Sequence, residues 1–356
     1  LNATDMNHSI VIGTNANNVG VNTGANNVLL GHAAGQQITS GASNVLIGRD
    51  CGLNLTEGLA NIAIGQGALD AADTSDARNY NVAIGKNTLG AQTAAVSYCV
   101  AIGDSALILQ DSNVKNTAIG GLAGAELDSG TGNTLVGYKA GNQLDDAEGG
   151  NTFIGHEAAR NADGAENNVA VGYGAIGDGA ATGNDNVAIG YQAGKDLIGG
   201  PGNVLVGKDA GKAMTTGDYN VAIGYQAADG LVGDADYNIA IGSNALGGCT
   251  TAMSSSIAIG TSALEHANYG SSGAIINLAI GRSAGAAITT GSSNTLIGHE
   301  AGSTVSDHSE NTAVGYHALK MCEGQNNTCL GRETLMTLND GDYNTVIGSG
   351  AMKLAD

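Results

Sequence analysis

Seven histidines, five cysteines and 33 acidic residues are the side chains through which this 356-residue chain could do chemistry. Their placement argues against catalysis. The sequence holds no HExxH pair, no paired-carboxylate motif and no Ser/His/Asp order, and its glycine-rich stretches lack the strand–loop–helix setting that a phosphate loop needs. The histidines are His8, His32, His156, His266, His299, His308 and His317. Three of them, His32, His156 and His299, fill one recurring slot that elsewhere holds Tyr138, Tyr173, Tyr191, Tyr225, Tyr316, Lys86 or Arg49. A slot open to so many chemistries is a solvated turn position. The chain is therefore expected to be no enzyme, with no catalytic, cofactor-binding or metal-ligating residues. Calcium is the one cofactor to weigh, at acidic turns such as Asp218, Asp234, Asp236 and Asp342, but the nine-residue calcium-roll motif is missing.

The cysteines Cys51, Cys99, Cys249, Cys322 and Cys329 are too few and too scattered for a disulfide framework or a zinc site. Three of them replace small residues of a repeat, so buried free thiols are the preferred reading, with a Cys322–Cys329 pair as the alternative. Sequons at Asn2, Asn7, Asn54 and Asn326 matter only in a eukaryotic secretory pathway.

The elements that position these groups follow from a pentapeptide, Asn-aliphatic-apolar-Ile-Gly, that occurs twenty times. Its closing glycines run from Gly13 to Gly348 at intervals of 16 to 21 residues, a mean of 17.6. That period marks a solenoid. Asn opens 17 pentapeptides, with Ser9, Cys99 and Ser256 as exceptions, and three residues after the Gly stands Ala in 17 of 20, replaced by Cys51, Thr88 and Thr334. Val, Ile and Thr dominate the pentapeptide, which makes it a strand, and the regular glycines exclude helices. The expected fold is all-β, a parallel β-solenoid or β-roll of about twenty coils of 17–18 residues, each with room for two short strands. It fills residues 9–352, between a lead-in at 1–8 and a tail at 353–356.

In this roll Asn186, Ile189, Gly190, Ala193, Asn220, Ile223, Gly224 and Ala227 represent a structural ladder, each stacked on its equivalent one coil away. Alternation places the second and fourth pentapeptide positions on one strand face and the third on the other. The second and fourth are expected to fill the interior. The third, apolar in every repeat, then becomes a stripe through Leu135, Phe153, Ala170, Ala188 and Leu205 that needs a cover from outside, and another copy of the chain is the expected cover.

A formal charge of −20, from 13 basic and 33 acidic residues, repels nucleic acid and anionic membranes, and no apolar run reaches membrane-spanning length. Neither nucleic-acid binding nor membrane insertion is expected.

Segments such as 186–194 (NVAIGYQAG), 220–228 (NVAIGYQAA) and 311–319 (NTAVGYHAL) resemble the head repeats of trimeric autotransporter adhesins, and resemble still more the longer versions in phage tail fibres and other fibre proteins. The resemblance covers residues 9 to 352, although the autotransporter repeat is shorter than 17 residues. It implies a left-handed parallel β-roll, trimerised side by side, in the shaft or head of an adhesive fibre at a cell surface, on a virion or otherwise outside the cell. Three function classes follow. The first is a structural fibre subunit whose partner is itself, laterally and by head-to-tail stacking of end coils. The second is an adhesin that recognises a cell-surface glycan or receptor through loops 70–79, 91–98 and 265–276. The third and weakest is an ice-binding solenoid, because the Thr-bearing second position is expected to face inward.

Overall fold

The structure, a computed structural model, describes residues 8–19, 23–70, 78–91, 96–111, 115–144, 149–177, 182–249, 253–267, 276–338 and 341–355. It is an all-β parallel β-solenoid whose coils follow one another about 17 residues apart, without helices among the described residues. The chain divides into two compact units, the first being Leu1–Gly174 with Ala180–Thr182 and the second Ala175–Gly179 with Gly183–Asp356.

Each pentapeptide supplies one three-residue strand. In the first unit ten strands, from β1 (Ile10–Ile12) to β10 (Val169–Val171), stack in chain order through nine parallel pairings with equivalent positions matched. In the second unit the stack starts at β11 (Val187–Ile189) and β12 (Val204–Val206), where Val187 pairs Val204, Ala188 pairs Leu205 and Ile189 pairs Val206. It continues through eight more such pairings to β22 (Thr345–Ile347).

The expected second strand is rarer. It forms as a three-stranded sheet in the last coils of the second unit, of β19 (Met321–Cys322), β21 (Thr337–Leu338) and β23 (Leu354–Ala355), and as isolated bridges joining Leu59, Asn79 and Ser97 in the first. Elsewhere the return path is built from turns. The backbone accounts for this: residues two and four after the pentapeptide Gly have positive φ in all twenty repeats, seventeen of the former being non-glycine, such as Gln192 at 53° and Asp209 at 57°. Each such residue costs roughly 1–2 kcal/mol in isolation. Stacking holds it there, because its N–H donates to the coil before, as Asp209 does to the Tyr191 carbonyl at 2.9 Å.

The third position, not the second and fourth, fills the interior. Leu135, Phe153, Ala170, Ala188 and Leu205 have no exposed surface in the single chain, so they are core residues and not the intersubunit stripe expected from the alternation. Ile189 and Ile223 point the other way and keep 40% and 38% of their surface. The cause is the asparagine. It opens the pentapeptide two residues before the third position and so shares its face, and its side chain is consumed inside. Asn203, fully buried, accepts the Asn220 backbone N–H at 2.8 Å through Oδ1 and donates from Nδ2 to the Gly217 carbonyl at 2.8 Å. Asn186 and Asn220 belong to the same ladder, since Asn203 N–H donates to Asn186 Oδ1 at 2.8 Å and Asn238 N–H to Asn220 Oδ1 at 2.9 Å. Ser9 and Ser256 keep the ladder with Oγ, accepting from the N–H of Asn27 at 3.0 Å and of Asn277 at 3.3 Å. Where Cys99 stands, the Asn116 backbone bonds its sulfur, and the buried Gln110 Oε1 accepts from Asn116 Nδ2 at 2.7 Å.

With Asn inside, the core is narrow, and in many coils two positions share its bulk. Where the strand carries Leu29, Leu46, Leu135, Leu205 or Leu296, the residue four after the closing Gly is Gly35, Gly52, Gly141, Gly211 or Gly302. Where that residue is Leu69, Leu89, Leu107, Leu246 or Leu264, the strand carries Ala. A Cβ on Gly211 would lie 2.7 Å from Leu205 Cδ2, so the two sites share one space. Ala193 and Ala227 complete the buried wall.

Candidate functional site

The functional surface of a repeat this regular has to be sought on what each coil turns outward. The second and fourth positions form an aliphatic face along each unit, partly exposed in every repeat. Its Thr residues therefore face out as well, which corrects the inward placement expected above. Thr117, Thr134 and Thr152 pair in register in the first unit, and Thr295, Thr312, Thr328 and Thr345 in the second.

The slot after the closing Gly, at Gly190 and Gly224 for example, is exposed, and its rings stack from coil to coil. Tyr138, His156 and Tyr173 lie at centroid separations of 5.3 and 5.2 Å in the first unit. In the second, the Lys208 ammonium sits between the rings of Tyr191 and Tyr225, at 5.8 and 5.4 Å. A second column, just before the pentapeptide Asn, stacks Tyr80 on Tyr98 at 5.0 Å and Tyr219 on Tyr237 at 5.5 Å. These ring faces are spent on one another, which leaves edges rather than open platforms for a sugar.

The acidic turns are occupied by donors of the preceding coil. Asp236 Oδ1 accepts the Asp218 backbone N–H at 2.8 Å, Asp234 Oδ1 the Thr216 hydroxyl at 2.8 Å, and Asp342 Oδ1 the Gln325 N–H at 2.8 Å. Burial, then Asp236 and Asp234, raise the Asp218 carboxyl above its ordinary value. All five cysteines are free and buried, Cys322 and Cys329 included. Burial pushes the thiols of Cys51, Cys249 and Cys329 up to about 12 and those of Cys99 and Cys322 to about 11, which leaves them unreactive at neutral pH. The recognition loops at 70–79, 91–98 and 265–276 lie largely outside the described residues.

Among the described residues, one group brings three metal-ligating side chains together, and it was not expected: His299, Glu300 and His317. Glu300 and His317 occupy the same slot of successive repeats, two residues after Gly298 and Gly315, so stacking superimposes them. Both are held at positive φ, 52° and 54°. His317 Nε2 lies 3.1 Å from Glu300 Oε2, His299 Nε2 lies 4.0 Å from Oε1, and Lys320 Nζ bonds Oε2 at 2.5 Å. That hydrogen bond leads the effects that hold the Glu300 carboxyl below the usual range, while burial and then the Lys320 charge lower His317 and favour neutral imidazole. The legible signal was Glu and His one period apart beside a further His.

No protein-family model, no curated protein and no solved structure matches this chain.

Proposed function

We propose that the protein is a non-catalytic structural subunit of an extracellular or virion fibre, in which copies associate side by side through the outward aliphatic face, three copies being the number that the resemblance to adhesin and fibre repeats implies. The observation that supports this reading is the partly exposed aliphatic side chain that every coil turns outward at the fourth position, exemplified by Ile189 and Ile223, joined in thirteen of the twenty coils by a second one at the second position. Parallel sheets are as a rule covered on both faces, and the coil covers only one. Apolar stripes of such length are otherwise adhesive without selectivity. The acidic surface, with its charge of −20, confines that adhesion to contacts whose apolar area offsets the repulsion.

Sedimentation tests the reading. The parent is expected to run as an elongated oligomer and an Ile189→Asp, Ile223→Asp double variant as a folded monomer, because both changes sit on the outward face. A parent that stays monomeric at micromolar concentration refutes it. The outward Thr columns favour ice binding as a second reading, but Thr takes only seven of the twenty second positions. Thermal hysteresis in the parent would select that reading.

A further inference from the structure

We infer that His299, Glu300 and His317 form a binding site for a borderline first-row divalent cation of the zinc, nickel or copper class, which would clip two successive coils of the second unit together. The three side chains each offer one ligand atom, all within 4.8 Å of one another. Tetrahedral zinc at about 2.1 Å from nitrogen and oxygen needs ligand atoms ~3.4 Å apart. The Glu300 to His317 distance already meets this at 3.1 Å, and the His299 to Glu300 distance of 4.0 Å closes with a small side-chain rotation.

Two further observations support a built site. His317 N–H donates to the His299 carbonyl at 3.0 Å, so the backbones carrying both imidazoles are tied together. The Tyr316 ring stacks against His317 at 3.8 Å and His299 at 5.3 Å and limits their rotation. Two imidazoles and one carboxylate suit borderline cations, whereas calcium and magnesium demand a shell of oxygens. The fourth position would be open to water. Lys320 competes, since its ammonium occupies Glu300 Oε2, so loading the site has to displace it.

The molecule holds its own control. His156 and Glu157 repeat the His-Glu pair in the same register, with His156 Nδ1 3.9 Å from Glu157 Oε2, but the next coil places Gly174 where His317 would stand. That pair lacks the third ligand.

Zn²⁺ titrated into the full-length chain by calorimetry should saturate at one ion per chain. His299→Ala and His317→Ala should each weaken binding at least tenfold, the scale seen when a metal site loses a supporting contact. His156→Ala should leave binding unchanged, and Lys320→Met should tighten it. Because an alanine variant can disturb its coil, the zinc-loaded parent is also measured by X-ray absorption, which should count two imidazole ligands. No saturable binding, equal binding by the His317→Ala variant, weaker binding by Lys320→Met, or fewer than two imidazoles around zinc would each overturn the site.

Discussion

Replacing Gly190 by Ala should damage the second unit more than the same change at Gly194 of its coil. The closing glycine has φ of +143°, a region that side chains avoid at a cost of roughly 1–3 kcal/mol. The added Cβ would point into the Gly207 carbonyl of the next coil, 2.6 Å from its carbon and 3.2 Å from Lys208 N. Those are backbone atoms and cannot rotate aside. The two coils would have to part by about an ångström, against a strand spacing of ~4.8 Å. The bonds from Gly207 N–H to the Ile189 carbonyl at 2.8 Å and from Asp209 N–H to the Tyr191 carbonyl at 2.9 Å would then be lost. At ~0.5–1.5 kcal/mol each, the sum with the backbone strain is about 2–6 kcal/mol. Gly194→Ala is the matched control. Its φ of +58° is one that Leu and Ala residues adopt in the equivalent slot of other coils, and its Cβ meets Leu205 Cδ1, the end of a side chain, at 2.8 Å. Denaturant unfolding combined with hydrogen exchange of the amides from 189 to 209 measures both, exchange being needed because repeat arrays open locally. A loss below 1 kcal/mol for Gly190→Ala, or one no larger than for Gly194→Ala, would show that the glycine column is not set by coil-to-coil contact.

Three other outcomes follow from the same geometry. Asn203→Ala should cost about 2–5 kcal/mol by stranding the Asn220 N–H and the Gly217 carbonyl, while Asn203→Ser, which retains an acceptor as Ser256 does, should lose less; thermal unfolding of both separates them. Leu205→Ala should cost about 2–5 kcal/mol because Leu205 is wholly inside its coil, and a sedimentation profile altered without loss of stability would return it to an interface. Burial, with Asp50 and Asp209 as the neighbouring charges, raises Asp70 and Asp229 from 3.8 to about 6. The folded state then binds more protons than the unfolded one between these values, so this contribution to stability is present below pH ~4 and lost as pH rises through 6. Asp70→Asn should therefore raise the unfolding free energy at pH 7.5 by about 1 kcal/mol, the ~1.4 kcal/mol per unit being reduced for partial exposure, and should flatten the pH profile between 4 and 6.

The period, the strand and the absence of helix were all legible in the residues, because stacking makes each position its own neighbour and writes the coil length directly into the spacing of Gly and Asn. The inside and outside of the strand were misread for a physical reason. Alternation separates two faces but does not orient them, and here both are apolar, with the larger side chains on the outside. Hydrophobic size favours Val187 and Ile189 for the core over Ala188, yet the core must also hold the asparagine ladder, and what remains beside Asn186 and Asn203 is a narrow channel that admits Ala or, opposite a small residue, Leu or Phe153.

Two signals in the sequence did carry the orientation. Asn186 and Ala188 have the same parity, so a buried Asn commits the third position to the interior. The exchange of bulk between the third position and the residue four after the closing Gly, Leu with Gly or Ala with Leu, is what two side chains sharing one space would show, whereas the second and fourth positions vary freely among Val, Ile, Leu and Thr. The His299–Glu300–His317 group was hidden for a related reason. Each residue alone sits in a slot that tolerates almost anything, and only the superposition of Glu300 on His317 by one period creates the cluster. In a solenoid, a site is therefore better sought down a column of equivalent positions than along the chain, since stacking sets residues about 17 apart side by side.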